Sequence, residues 1–85
     1  MSYFVYILRT SSNTLYIGQT NNLERRISEH NAGKNISTRN RRPLKLIYNE
    51  EFDDILSARS RERYLKSRKG RKELKEIFEK IHIGD

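Results

Sequence analysis

The first twenty residues have the pattern of a β-hairpin. Residues 3–8 are rich in β-branched and aromatic side chains, a turn cluster of serine and asparagine follows at 11–13, and a second short apolar run occupies 15–17. Apolar runs of this length, separated by turn residues, are typical of two antiparallel strands. We therefore predict a hairpin that ends at Gly18 and begins the sheet.

The next segment has the spacing of an amphipathic helix. Leu23 and Ile27 lie one helical turn apart, and Asn21 precedes them as a candidate N-cap. Glu24 follows three residues after Asn21, which is the pattern of a capping box, and Gly33 is suited to end the helix. This spacing predicts a first helix over about residues 22–31.

The middle of the chain predicts a loop and then a third strand. Residues 35–43 contain almost no apolar side chains but several basic ones, whereas residues 44–52 have a strand-like composition. We therefore expect a basic loop followed by a strand that joins the hairpin.

The last third of the chain predicts two helices. From Asp53 or Asp54, either of which is a suitable N-cap, helical spacing continues to about residue 68, and Gly70 is expected to break it. The closing helix would be amphipathic, with an apolar side made of Leu74, Ile77, Phe78 and Ile81.

Length and composition bound the class of protein. A chain of 85 residues supports one domain, which we place at residues 1–85 with a core over about 3–78. It contains no cysteine, so disulfides, thiolate zinc sites and cysteine nucleophiles are excluded. The longest apolar stretch, residues 3–8, is too short for a membrane span or a signal-peptide core. We therefore predict a soluble, cytoplasmic protein without a membrane partner.

The charge is large and unevenly distributed. Lysine and arginine number 18 against 11 acidic residues, which leaves a net charge of +7. Residues 31–48 carry five basic and no acidic residues, and residues 57–72 carry eight basic and one acidic. Two basic patches result, one in the predicted loop and one in the predicted helix.

Such patches favour a polyanionic partner, and nucleic acid above all. A merely solvated face is the alternative, and an anionic membrane fits less well because no segment pairs a basic face with a large apolar one. The candidate phosphate contacts are Lys34, Arg39, Arg41, Arg42, Arg59, Arg63, Lys66 and Lys69.

Two tyrosines of the hairpin are candidates for chemistry. A three-residue loop centred on Ser11 would place Tyr6 directly opposite Tyr16, and a two-residue loop would offset them by one position. Tyr16 shares its strand face with Gly18, where a ligand could approach the backbone closely. The alternative is that both tyrosines are ordinary strand residues with hydroxyls at the edge of the core.

The first helix brings a second pair of candidates. Arg26 and His30 are four residues apart and therefore share a helix face beside the apolar seam. A guanidinium can pair with a phosphate through two hydrogen bonds, and an imidazole can pass a proton near neutral pH. Purely structural roles for both residues are the alternative.

Glu62 interrupts an otherwise apolar stripe. Ile55, Ala58 and Leu65 have helical spacing, and position 62 belongs to the same side although it carries the only acid of residues 57–72. A carboxylate leaning toward a core is costly unless it is paired or holds a metal. The pattern leaves two interpretations open, a Mg²⁺ ligand or a salt bridge to Arg26 or Arg59.

Together these residues resemble a known family. Tyr16-Ile17-Gly18, with Tyr6 on the preceding strand, Arg26 and His30 on the next helix and a later helical Glu62, is similar to the GIY-YIG nuclease domain. That domain occurs in homing endonucleases, excision-repair nucleases and some restriction enzymes, and the stretch from Leu15 to Arg26 is closest to its short stand-alone bacterial members. The leading triplet, Phe4-Val5-Tyr6, lacks the family's first glycine, and Gln19 stands where many members have lysine.

The resemblance implies an α+β fold with a three-stranded antiparallel sheet flanked by helices. It also implies hydrolysis of DNA phosphodiester bonds with Mg²⁺ or Mn²⁺, in DNA repair or recombination. Glu62 would hold the metal, Tyr16 or Tyr6 would position or deprotonate the attacking water, Arg26 would offset charge on the phosphate, and His30 would assist proton movement.

Two other functions remain open from the sequence. A nucleic-acid-binding module of the same fold would bind DNA without cleaving it, and a protein adaptor would use the basic face for a protein partner. Glu62 distinguishes a nuclease from the binding module, because a binding module needs no inward-leaning carboxylate. The DNA could be single-stranded or structured, and targeting would depend on the basic patches or on a protein partner.

Overall fold

The computed structural model describes residues 1–83 and contains a three-stranded antiparallel sheet with three helices. The strands pair in the order β2 (Leu15–Thr20), β1 (Tyr3–Arg9) and β3 (Lys45–Phe52). This confirms the predicted α+β fold. The elements are β1 (Tyr3–Arg9), β2 (Leu15–Thr20), α1 (Leu23–Asn31), a short 3₁₀ turn (Arg39–Arg41), β3 (Lys45–Phe52), α2 (Ile55–Lys66) and α3 (Arg68–Ile83).

The central strand β1 is buried on both faces, which explains its continuous apolar run. On one face Val5 and Ile7 pack with Ala58 and Leu65 of α2. On the other face Tyr6 and Leu8 form a second cluster, against which Leu23 and Ile27 of α1 pack. Strand alternation therefore divides the core into a helix-α2 side and a helix-α1 side. None of the three helices in the described part of the chain has the length and apolar content needed to span a bilayer.

The hairpin register differs from the predicted one. Tyr6 faces Gly18 and Tyr16 faces Leu8, so the turn is centred on Ser12 instead of Ser11. The turn has the predicted three residues but is displaced by one position, because the Thr10 amide donates to the Thr14 carbonyl at 2.9 Å and so closes the turn around residues 11–13. The tyrosines are therefore diagonal neighbours instead of direct partners.

The helix caps agree with the sequence in one case and differ in the other. Asp54 caps α2 as predicted, and its carboxylate accepts from the Ser57 amide at 2.8 Å. The cap of α1 is Asn22 and not Asn21, because the Asn22 side chain is the one that reaches the Arg25 amide. Gly33 follows α1 with a φ of +79°, as expected of a glycine that ends a helix.

The boundary between α2 and α3 corrects the prediction for Gly70. The chain leaves the helix at Ser67, and Gly70 lies inside α3. The Ser67 hydroxyl accepts from the Gly70 amide at 3.2 Å, so Ser67 caps the helix that begins there. A Cβ on Gly70 would lie 1.8 Å from the carbonyl oxygen of Tyr64. Glycine is required by this close approach of two helices joined through one residue.

An ion-pair network ties α2 to its neighbours. Arg61 donates two hydrogen bonds to Glu50 of β3, at 2.8 and 2.9 Å, and also pairs with Glu73 of α3. Tyr48 donates to the same Glu50 carboxylate at 2.6 Å. Hydrogen bonds from Arg61 hold the pKa of Glu50 and of Glu73 below their usual values. Arg61 is thus compensated within the fold, unlike most of the basic stretch around it.

Candidate functional site

Tyr6 is the centre of a buried hydrogen-bonded cluster. Its side chain is 1% exposed because β1 is the middle strand and α1 covers this face. The Tyr6 hydroxyl oxygen lies 3.0 Å from His30 Nε2 and accepts from Arg26 Nε at 3.4 Å. Burial raises the pKa of Tyr6 and the Arg26 hydrogen bond opposes the rise, while the charges of Tyr16 and Glu62 add to it.

Gly18 does permit a close approach, but the approaching group is the Tyr6 side chain and not a ligand. A Cβ on Gly18 would lie 2.4 Å from the Tyr6 hydroxyl oxygen. The two residues are direct partners across the hairpin. The expectation that a ligand fills this space is therefore wrong, and the glycine makes room for the tyrosine.

Tyr16 completes an aromatic group with Tyr6 and His30. Its ring centroid lies 5.0 Å from the His30 ring, edge-on, and 6.4 Å from the Tyr6 ring. Tyr16 is half-buried, and its hydroxyl has no hydrogen-bond partner among residues 1–83. The two tyrosines are therefore unequal, since the Tyr6 hydroxyl is held by the protein and the Tyr16 hydroxyl is free to bind another group.

Arg26 links this cluster to the surface. Its Nε donates to Tyr6, and its Nη1 donates to Glu29 Oε1 at 3.3 Å. The hydrogen bond to Tyr6 is the main reason that the pKa of Arg26 is raised. The guanidinium lines a surface cleft of about 320 Å³ together with Gln19 and Arg25. Its Nη2 has no partner among the described residues, so it can meet an anion in that cleft.

His30 is fully buried and is held at both ring nitrogens. Nε2 bonds with Tyr6, and Nδ1 lies 2.8 Å from the hydroxyl of Thr38. Burial lowers the pKa of His30, the Arg26 charge lowers it further, and Glu29 opposes this. The imidazole is therefore neutral at neutral pH.

Two members of the cluster, Thr38 and Glu29, were not predicted from the sequence. Glu29 follows Arg26 by three residues, and this helical ion-pair spacing is a signal that could have found it. Thr38 gives no such signal, because it lies in the basic loop and is buried only by the tertiary fold.

Glu62 lies on α2, in a groove of about 380 Å³ that it shares with Gln19, Arg59, Arg63 and Lys66. Its side chain is 22% exposed and accepts from Lys66 Nζ at 2.7 Å. The predicted alternative, a bridge to Arg26 or Arg59, is wrong because Lys66 lies one helical turn away and takes the carboxylate. Gln19 lines this groove and also the cleft at Arg26, so the two openings adjoin at β2.

The residues present fit a metal that is bound mainly by substrate and water. Among the side chains that the structure describes, no group of three or more histidine, aspartate or glutamate residues is placed to hold a metal ion. Glu62 nevertheless supplies one carboxylate, and its Oε1 has no partner in the described part of the chain. Mg²⁺ commonly takes one or two carboxylates, with water and substrate phosphate as its other ligands. Glu62 suits such a site, whereas a closed protein cage is absent from the described residues.

All eight predicted phosphate contacts are exposed. Two of them also bond within the fold, since Lys66 pairs with Glu62 and Arg42 Nε donates to the Arg39 carbonyl at 2.8 Å. The remaining six, which have no side-chain partner among residues 1–83, are Lys34, Arg39, Arg41, Arg59, Arg63 and Lys69. These cations are available to an external anion.

Comparison with known proteins gives a family and a fold. Residues 2–75 match the family model described as the GIY-YIG catalytic domain. A UPF0213 protein of Clostridium perfringens is 50% identical over 64 residues, which cover 74% of this chain and 69% of the relative. One from Staphylococcus haemolyticus is 42% identical over 79 residues, covering 92% of this chain and 96% of the relative. The solution NMR structure of a UPF0213 protein from Bacillus halodurans is similar with a TM-score of 0.57 and 32% identity, covering 91% of this chain and 85% of that one.

Proposed function

The chain belongs to the GIY-YIG family, and from this membership we propose that it is a metal-dependent endonuclease that hydrolyses phosphodiester bonds in DNA. One observation carries the proposal beyond the family name. The fold brings Tyr6, Tyr16, Arg26 and His30 into one cluster, and Glu62 lines a groove that shares Gln19 with the cleft at Arg26. Strand, hairpin and helix residues far apart in sequence thus meet beside exposed cations.

Each residue has a role that its surroundings support. Glu62 would hold Mg²⁺ or Mn²⁺, which when bound stabilises negative charge on phosphate and leaving-group oxygens. The free Nη2 of Arg26 would bind the scissile phosphate, since a fixed guanidinium stabilises charge that grows in the transition state. The free hydroxyl of Tyr16 would contact the attacking water. Tyr6, held by His30 and Arg26, would fix the position of that arrangement or take the proton.

A cleavage assay tests the proposal. Purified protein is incubated with labelled single-stranded, duplex, flap and branched DNA, with and without Mn²⁺. Metal-dependent fragments from at least one substrate are the expected result. DNA binding without cleavage of any substrate would contradict a nuclease and favour a binding module of the same fold.

Replacing Tyr16 by phenylalanine should remove most cleavage and leave the fold intact. The hydroxyl of Tyr16 has no partner among residues 1–83, so its loss breaks no hydrogen bond there, and the ring contact with His30 is kept. We expect a fall in kcat of about 100-fold or more, typical of the loss of a positioned acid–base group. Thermal melting and single-turnover cleavage measure the two effects.

Tyr6→Phe is the matched control for this prediction. This substitution also removes a tyrosine hydroxyl, but the hydroxyl of Tyr6 is bonded to His30 and Arg26. Its loss should therefore lower the free energy of unfolding as well, by about 1 kcal/mol. Equal melting losses in the two variants, with unchanged cleavage by Tyr16→Phe, would show that Tyr16 is a structural residue.

DNA affinity should depend steeply on salt and little on sequence. The available cations are exposed lysines and arginines that suit phosphates, and the log–log slope should be about −0.9 per duplex phosphate contacted. Arg59→Ala with Arg63→Ala should lower the slope by about 2. Fluorescence anisotropy over a salt series measures it, and Lys75→Ala, outside both patches, is the control. A salt-independent affinity would refute phosphate binding.

A further inference from the structure

A continuous chain of hydrogen bonds runs from the basic loop to the surface cleft. It joins the Thr38 hydroxyl, both ring nitrogens of His30, the Tyr6 hydroxyl and the Arg26 guanidinium. We propose that Thr38 is a positioning residue that fixes His30 as the tautomer protonated at Nε2. In that state His30 donates a hydrogen bond to Tyr6 and does not accept the Tyr6 proton.

Two proton assignments are compatible with the distances. In the first, Nδ1–H donates to Thr38, and Tyr6 donates to Nε2. In the second, Thr38 donates to Nδ1, and Nε2–H donates to Tyr6. A neutral imidazole has one donor and one acceptor, so the Thr38 bond decides which nitrogen faces Tyr6.

The first assignment leaves the Thr38 proton without an acceptor. Thr38 is 0% exposed, and His30 Nδ1 is the sole hydrogen-bond partner of its hydroxyl among residues 1–83. A buried hydroxyl proton that has no acceptor carries a desolvation cost. Donation to Nδ1 gives the Thr38 proton an acceptor.

In the second assignment the hydroxyl proton without an acceptor belongs to Tyr6 instead of Thr38. The Tyr6 oxygen then accepts from His30 Nε2 and from Arg26 Nε, and Arg26 also lines the surface cleft. Two donors on one phenol oxygen stabilise negative charge there, and the Tyr6 proton then has no acceptor among the described residues. A fully buried neutral imidazole is suited to this fixed polarising role, because it has no direct path to solvent for exchanging protons.

The tautomer can be measured without substrate. Long-range ¹H–¹⁵N NMR of the labelled 85-residue chain distinguishes the two neutral tautomers of His30, and His82→Gln assigns the signals of its other histidine. We expect the Nε2–H pattern in the wild type and in Thr38→Ser, which keeps the hydroxyl. Thr38→Val should lose that preference. An Nδ1–H pattern in the wild type, or an unchanged pattern in Thr38→Val, would overturn the inference.

The catalytic consequence rests on the proposed function and is tested separately. Thr38→Val should lower kcat by about 10- to 100-fold, the usual cost of removing a group that orients a histidine, and Thr38→Ser should restore most of it. If the wild type cleaves no DNA, the proposed function fails while the tautomer result still stands. If it cleaves DNA and Thr38→Val cleaves equally fast, the positioning role is refuted.

Discussion

Replacing Glu62 by glutamine should remove most DNA cleavage without unfolding the protein. Glu62 is the one acid in the most basic stretch, and its carboxylate has the charge that Mg²⁺ or Mn²⁺ requires. Metal stabilisation of phosphate charge is worth several kcal/mol, so we expect cleavage to fall by about 100-fold or more. DNA affinity should stay level or rise, because the substitution removes a negative charge from a groove of cations.

Measurements of stability distinguish a metal-binding role of Glu62 from a structural one. The Glu62–Lys66 pair is a partly exposed contact across one helical turn, and such pairs contribute about 0.3–0.5 kcal/mol. Melting of Glu62→Gln without metal should therefore differ little from wild type, and a Mn²⁺-induced rise in Tm should disappear. Glu79→Gln makes the same chemical change at an exposed site of α3 and is the control. A large metal-independent loss of stability in Glu62→Gln alone would contradict the metal role.

The tyrosine cluster was predictable although the hairpin register was not. The predicted register is two residues away from the observed one, and a shift of two keeps every side chain on its face. Tyr6 and Tyr16 therefore share a face in both registers, and only their relation changes, from opposite to diagonal. Side chains alternate between the two faces of a strand, so the sequence alone decides which face each side chain takes. The register, by contrast, depends on the Thr10–Thr14 turn.

Features that depend on tertiary contacts were not predictable from local patterns. Thr38 is buried because α1 and the basic loop meet at His30, and nothing in the polar loop sequence marks that meeting. Lys66 was not predicted as the partner of Glu62, because Arg59 also lies within one turn of it on the helix and side-chain packing decides between the two. The prediction that Gly70 ends a helix was wrong because a glycine can also allow a neighbouring backbone to approach closely. Gly70 has this second role, toward the backbone of Tyr64.

Gly70→Ala should destabilise the protein strongly, against the expectation from helix propensity. In an exposed helix interior this substitution stabilises by about 1 kcal/mol. Here a Cβ would lie 1.8 Å from the Tyr64 carbonyl oxygen, a backbone atom that cannot rotate away. Relief requires α2 and α3 to separate, and we expect a loss of about 3 kcal/mol, which corresponds to a fall in Tm of roughly 12–24 °C for a domain of this size.

Thermal and urea unfolding of Gly70→Ala measure this loss, and Lys72→Ala is the matched control. Lys72 is exposed in the same helix, so its change to alanine alters helix propensity little and introduces no clash. Because α2 carries Glu62 and is joined to α3 through Ser67 alone, Gly70→Ala should also weaken the Mn²⁺-induced rise in Tm. A Tm equal to or above that of the wild type would show that the two helices are not held at this distance, and that Gly70 is an ordinary helical position.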